Sequence, residues 1–177
     1  MAAGNTYEAI ASTTLGSDTA TVSFTSIPST YTDLVLVFVG AVASAGWEVG
    51  LRFNNDSGTN YSTTILYGTG SAAGSERLTS NSLGILDSWT GGNHGTTLGN
   101  NNAIFQIMNY ANTTTYKTTL TRGNSNDTTS SQFVGASVGL WRSTSAINRV
   151  DFISYPTTPI DIKSGSTISL YGILAAT

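Results

Sequence analysis

Leu34-Val35-Leu36-Val37-Phe38-Val39 is the stretch on which the fold turns. Both alternating faces of this run are apolar, which reads as a central β-strand covered on both sides. The apolar segment continues to Ala45. That is still well short of the roughly 20 residues a membrane-spanning helix needs, so a buried strand is expected.

Working outward, period-two patterns recur on either side. Residues 20–25 place Val22 and Phe24 on one face, and Val49, Leu51 and Phe53 alternate with Gly50, Arg52 and Asn54. Residues 61–67 read as a strand, and residues 83–89 as a weaker candidate interrupted by Gly84. Residues 103–110 are apolar on both faces, Tyr116, Thr118 and Leu120 line one face of the next strand, and residues 133–141 alternate small with apolar residues. Residues 147–153 and 167–174 close the pattern. Clusters of turn residues separate these runs at 28–30, 54–60, 68–75, 90–102, 122–131 and 155–159. Eight to ten short strands so spaced imply an all-β fold, a two-sheet antiparallel β-sandwich of jelly-roll-like form. No linker or long repeat divides the chain, so one domain over residues 1–177 is expected.

Composition supports the same class. Charged residues make up 10% of the 177, against about 25% in an ordinary soluble protein. Thr, Ser, Asn and Gly carry the polar share. Thr suits a pleated surface and the others suit turns, whereas exposed helices would need Lys, Glu and Ala. There is no cysteine, which excludes disulfides and thiolate metal sites. The net charge is −3, and the seven basic residues, Arg52, Arg77, Lys117, Arg122, Arg142, Arg149 and Lys163, are scattered. Direct nucleic-acid binding and a polybasic membrane patch both need clustered Lys and Arg, so neither is expected. Residues 1–8 carry neither the basic nor the apolar region of a signal peptide.

The chemistry-bearing residues form no catalytic pattern. His94, the single histidine, lies in Gly91-Gly92-Asn93-His94-Gly95. No Gly-x-Ser-x-Gly elbow accompanies it, and a loop histidine is the simpler reading. The ten carboxylates include no pair at alternate positions of one strand, as a glycosidase-type pair on one strand would require. Asn54-x-Asp56-x-Gly58-x-Asn60 resembles the start of an oxygen-ligand calcium loop but has one carboxylate and no closing Glu. A turn joining two strands is expected there, and no cofactor or metal. Trp47, Trp89 and Trp141, with Tyr31 and Tyr110 taken as exposed, could make a sugar-stacking platform, although aromatics in sandwiches more often fill the core. The sequons at Asn55, Asn60, Asn112 and Asn126 are those a chain this rich in Asn, Ser and Thr carries by chance.

The order of segments along the chain carries a resemblance. Tyr7-Glu8-Ala9-Ile10-Ala11-Ser12 is followed by Val22-Ser23-Phe24-Thr25-Ser26-Ile27-Pro28-Ser29-Thr30-Tyr31-Thr32-Asp33-Leu34. Then come Leu51-Arg52-Phe53-Asn54-Asn55-Asp56, Asn60-Tyr61-Ser62, Gly139-Leu140-Trp141 and the closing Gly165-Ser166-Thr167-Ile168-Ser169-Leu170-Tyr171-Gly172-Ile173. This order resembles a group of small tailed-bacteriophage structural proteins. The resemblance implies a non-enzymatic virion component with a β-sandwich, in size most like a capsid cement or decoration protein. Such proteins often sit as homotrimers over gaps between capsid subunits, and other members form tail or fibre tips. It implies the major capsid protein as partner and the capsid surface as location, and it brings no catalytic residues.

A surface poor in Lys and Glu loses little side-chain freedom on docking, which suits permanent assembly. The expected interface residues are Tyr7, Trp47, Trp89 and His94. The competing reading is a tail-fibre or head-fibre adhesin that binds host-surface glycans through aromatic side chains.

Overall fold

A computed structural model describes residues 6–44, 48–82, 84–86, 95–99, 101–126, 132–155 and 161–174. Twelve strands run through them: β1 (Tyr7–Thr14), β2 (Thr21–Phe24), β3 (Asp33–Gly40), β4 (Glu48–Phe53), β5 (Tyr61–Gly68), β6 (Ala73–Asn81), β7 (Ile85–Leu86), β8 (Asn101–Met108), β9 (Lys117–Asn126), β10 (Gln132–Trp141), β11 (Val150–Tyr155) and β12 (Thr167–Ile173). They form an eight-stranded sheet, in the order β1-β12-β3-β8-β9-β10-β5-β6, and a four-stranded sheet, β2-β11-β4-β7. Every pairing is antiparallel. The chain crosses repeatedly between sheets, and β8-β9-β10 is a simple meander. The expected all-β, jelly-roll-like two-sheet sandwich is therefore the observed architecture.

Alternation dictates which side chains enter the core. Leu34, Leu36 and Phe38 of β3, Ala103, Phe105 and Ile107 of β8, and Ile168 and Leu170 of β12 face inward from the large sheet. Val22, Phe24, Leu51, Phe53, Val150 and Phe152 meet them from the small one. Phe152 is the hinge of this packing, with its ring centroid 4.9 Å from Phe38 and 6.2 Å from Phe105. Each of these Val, Leu, Ile and Phe side chains contributes about 1.5–3 kcal/mol through burial.

Several sequence expectations need correction. Residues 34–39 are not covered on both sides: Val35 is buried and Val37 partly so, but Val39 is exposed on the outer face. The strand expected at 147–153 begins at Val150, because Ile147 is held outside the sheet by its N–H bond to Tyr110 O at 2.9 Å. Of the candidate strand at 83–89, Ile85–Leu86 is the described part. Two strands lacked a signal. In β1 the alternation breaks at a bulge between Ala9 and Ala11. β6 is a polar edge strand whose first residues, Ala73 to Ser75, fell inside an expected turn. β9 likewise extends through Arg122 to Asn126, where a turn was expected.

The turn after β4 shows how local chemistry directs the chain. Asn54 (φ 51°) and Asn55 (φ 57°) are both left-handed, and Asp56 N–H bonds to Phe53 O at 2.9 Å. Asn tolerates that region better than other side-chain-bearing residues do. The Asn54 side chain then accepts from Asn148 and Arg149 N–H and donates to Ala146 O, pinning the approach to β11.

Candidate functional site

Asp56 sits where the calcium-like spacing placed it, but its carboxylate is already occupied. It accepts from Gly58 N–H at 2.8 Å, Asn60 Nδ2 at 2.9 Å and the Trp141 indole N–H at 2.7 Å. Burial pushes its carboxyl up. The bonds from Trp141, Asn60 and Gly58 and the charge of Arg52 outweigh that and hold it below the usual carboxylate range. Tyr61 completes the arrangement: its hydroxyl accepts from Phe53 N–H at 3.1 Å and donates to Asp56 O at 3.1 Å. The loop is a structural clamp. Among the described residues no group of three His, Cys, Asp or Glu side chains could hold a metal ion.

Other described carboxylates are also structural acceptors. Asp151 takes the Arg149 guanidinium at 2.8 Å and Ser23 Oγ at 2.6 Å. Asp33 accepts Asn109 N–H at 2.6 Å, and Asp18 accepts Ser164 N–H at 2.8 Å.

The aromatic residues considered for sugar stacking separate into two groups. Trp141 is buried, stacked on Tyr61 with centroids 6.3 Å apart and packed on Phe53 at 5.6 Å. Tyr110, expected at the surface, is fully buried, and its hydroxyl bonds to Pro28 O. Tyr31 is partly buried and caps Gly172, where any Cβ would collide with its ring. Tyr110 belongs to the hydrophobic core, and Tyr31 packs against it. Trp47, Trp89 and His94 lie outside the described residues. Tyr7 is described: it is exposed on the edge strand β1, opposite Ile173.

The large sheet presents a different candidate. Its outward residues on the central strands form registered rows. One row runs Val37, Ile104, Arg122, Ala136, Leu66 and Ser75, and the next Val35, Gln106, Leu120, Val138, Thr64 and Arg77. Val134 is 63% exposed, Leu66 61%, Val138 52% and Leu120 46%. These four meet on three adjacent strands, β9, β10 and β5, and make one contiguous apolar patch bordered by Ser, Thr and Asn. Contiguous exposed apolar surface of this kind marks an interaction site more often than scattered residues do.

The patch is hidden in the sequence because the alternation of small and apolar residues in β10 does not say which set faces the core. Gly135, Ser137 and Gly139 face inward and Val134, Ala136 and Val138 outward. β7 lies across β10 and β5, and small inward residues permit that close approach. β9 also buries its more polar set. Lys117, Thr119 and Thr121 are the buried face, while Leu120 points out. Burial pushes the Lys117 ammonium down from its ordinary value, and its Nζ donates to Thr115 O at 2.8 Å and Thr144 O at 3.2 Å.

No family model matches the chain, and no curated protein matches it. Among solved structures it is similar to a GH43 glycoside hydrolase engineered to show both endo-xylanase and exo-arabinofuranosidase activity. The TM-score is 0.35 at 13% identity, covering 94% of this chain and 36% of that one. It is also similar to a toad ovary galectin in complex with thio-digalactose, with TM-score 0.35 at 11% identity, covering 86% and 98%. A third likeness is to the tripod from the baseplate of bacteriophage Tuc2009, with TM-score 0.27 at 10% identity, covering 94% and 64%. The chain thus spans about a third of the hydrolase's length and nearly all of the galectin's.

Proposed function

We propose that this chain is a structural protein of a bacteriophage virion, acting as a capsid cement or decoration protein. One observation carries the docking role: the broad, weakly ionised and partly apolar outer face of the eight-stranded sheet. The virion setting comes from the order of sequence segments described above. Val35, Val37, Thr64, Ser75, Ala136 and Val138 on that face are short or β-branched, so they lose little rotamer freedom when covered. The protein would bind the assembled lattice and not free subunits, and would stabilise the shell by linkage. Its partner is then the major capsid protein, and a homotrimer is the expected form on the particle.

Purified particles test this. Hundreds of copies located on the head by imaging and quantitative mass spectrometry are the expected result. A few copies at the tail would favour the fibre-adhesin reading, with binding to host glycans as its readout. Absence from particles would remove the virion role altogether.

A further inference from the structure

We infer that the outer face of the eight-stranded sheet docks on a partner protein surface that is apolar and carries a carboxylate positioned to meet Arg122. This inference rests on the docking reading above and adds the chemistry of the partner.

Arg122 stands near the middle of the face. Its sheet neighbours are Ile104 and Ala136 on the flanking strands and Leu120 and Asn124 along its own. It is exposed, and no carboxylate pairs with it among the described residues. Arg77, opposite Thr64, is the second cation on this side. Asp33 is the one acid on this side among the described residues. It lies at the end of β3 and accepts Asn109 N–H. Among the described residues this side therefore carries more positive than negative charge, in a chain of net charge −3. A guanidinium among apolar side chains is costly to cover unless a partner supplies a carboxylate to its planar fork.

Area and symmetry narrow the occupant. Eight strands about 4.8 Å apart, each presenting about four outward residues, make a face of about 1,000 Å². That is enough for the area one partner contributes to a standard interface, about 800 Å². A second copy fits poorly. A twofold contact would press the face against itself and bring two Arg122 side chains together in an apolar setting.

The test is co-sedimentation with shells prepared from particles that lack this protein, using wild type, Arg122→Lys, Arg122→Glu and Val138→Asn, each checked for native circular dichroism. Expected are binding by wild type, a modest loss for Arg122→Lys, and losses of about tenfold or more for Arg122→Glu and Val138→Asn. Added salt should weaken wild type more than Arg122→Glu. Equal binding by wild type and Arg122→Glu would overturn the inference while leaving the capsid reading intact. Failure of wild type to bind would overturn both. A wild-type dimer in sedimentation equilibrium that Val138→Asn abolishes would assign the face to a second copy, which also overturns it.

Discussion

The indole N–H of Trp141, the last residue of β10, donates to Asp56 Oδ2 at 2.7 Å in the turn that follows β4. This bond joins the two sheets at one end, because β10 belongs to the large sheet and β4 to the small one. Trp141→Phe keeps most of the ring packing against Tyr61 and Phe53 and removes the donor. Its cost should be about 1.5–3 kcal/mol, the value of one charge-assisted hydrogen bond. Asp56→Ala strips three donors of their acceptor and should cost about 2–4 kcal/mol. Urea unfolding followed by circular dichroism measures both, and unchanged midpoints would show that the clamp contributes nothing.

The same carboxylate gives the fold a defined acid sensitivity. Asp56 is held below the usual carboxylate range in the folded protein, so the folded state favours its ionised form. That contribution is fully present above the unfolded value of about 3.9 and is lost as pH falls through the lower folded value. Stability of the wild type should therefore decline through this acid window. Asp56→Asn, which has no proton to take up, should show a shallower decline. Identical slopes for the two proteins would refute the assignment.

Lys117 works in the opposite direction. It is fully buried opposite Trp141, and burial lowers its ammonium from the ordinary value. Between the folded and unfolded values the unfolded chain binds more protons, so stability rises with pH across that interval, which ends near 10.4. Below the interval the contribution is constant. In Lys117→Met the alkaline rise should be smaller than in wild type, as read from urea midpoints across the alkaline range.

How far all this could be read from sequence depends on the residue. Leu34, Leu36 and Phe38 announced a core strand because their apolar partners recur at period two, and the sandwich followed from such runs. The direction a strand faces is another matter. Val134, Ala136 and Val138 look like core residues and lie outside, while Gly135, Ser137 and Gly139 face inward on a strand that packs against β7. Nothing local to β10 encodes that crossing. Tyr110 closes the apolar run 103–110 but lies beyond the end of β8, and its hydroxyl is held by the Pro28 carbonyl, far away in sequence. Lys117 is as opaque: a lysine in a Thr-rich strand reads as surface, and the carbonyls of nearby Thr115 and of distant Thr144 receive its ammonium in the interior. The Asp56 clamp was half legible. The turn was visible in Asn54, Asn55 and Gly58, but the Trp141 donor lies in another sheet.

Close approach gives a third class of test. Gly40 lies against Ser166, whose hydroxyl accepts from Ala41 N–H at 3.1 Å, and a Cβ on Gly40 would overlap the Ser166 side chain. Gly40→Ala should therefore displace the Ser166 bond and cost about 1–3 kcal/mol. Gly16, whose added Cβ would meet nothing, is the matched control and should tolerate Ala with little change. Equal thermal midpoints for the two variants would contradict the packing described.

The inward face of the large sheet holds one set of substitutions that should stabilise it. Thr63, Thr119 and Thr121 are buried, and their hydroxyls have no hydrogen-bond partner. Thr119 and Thr63 flank Gly139 on either side, and Thr121 lies one step along beside Ser137. An unpaired buried hydroxyl costs about 1–3 kcal/mol. Valine has the same shape, prefers strands equally well and needs no partner. Each Thr→Val change should therefore raise stability by about 1 kcal/mol, measurable as a higher urea midpoint. Thr119 and Thr121 are neighbours on one face, so their double variant should depart from additivity, whereas Thr63 should combine more independently. Destabilisation at all three positions would mean that these hydroxyls are hydrogen-bonded in solution and that the interior beside β10 is polar by design of the fold.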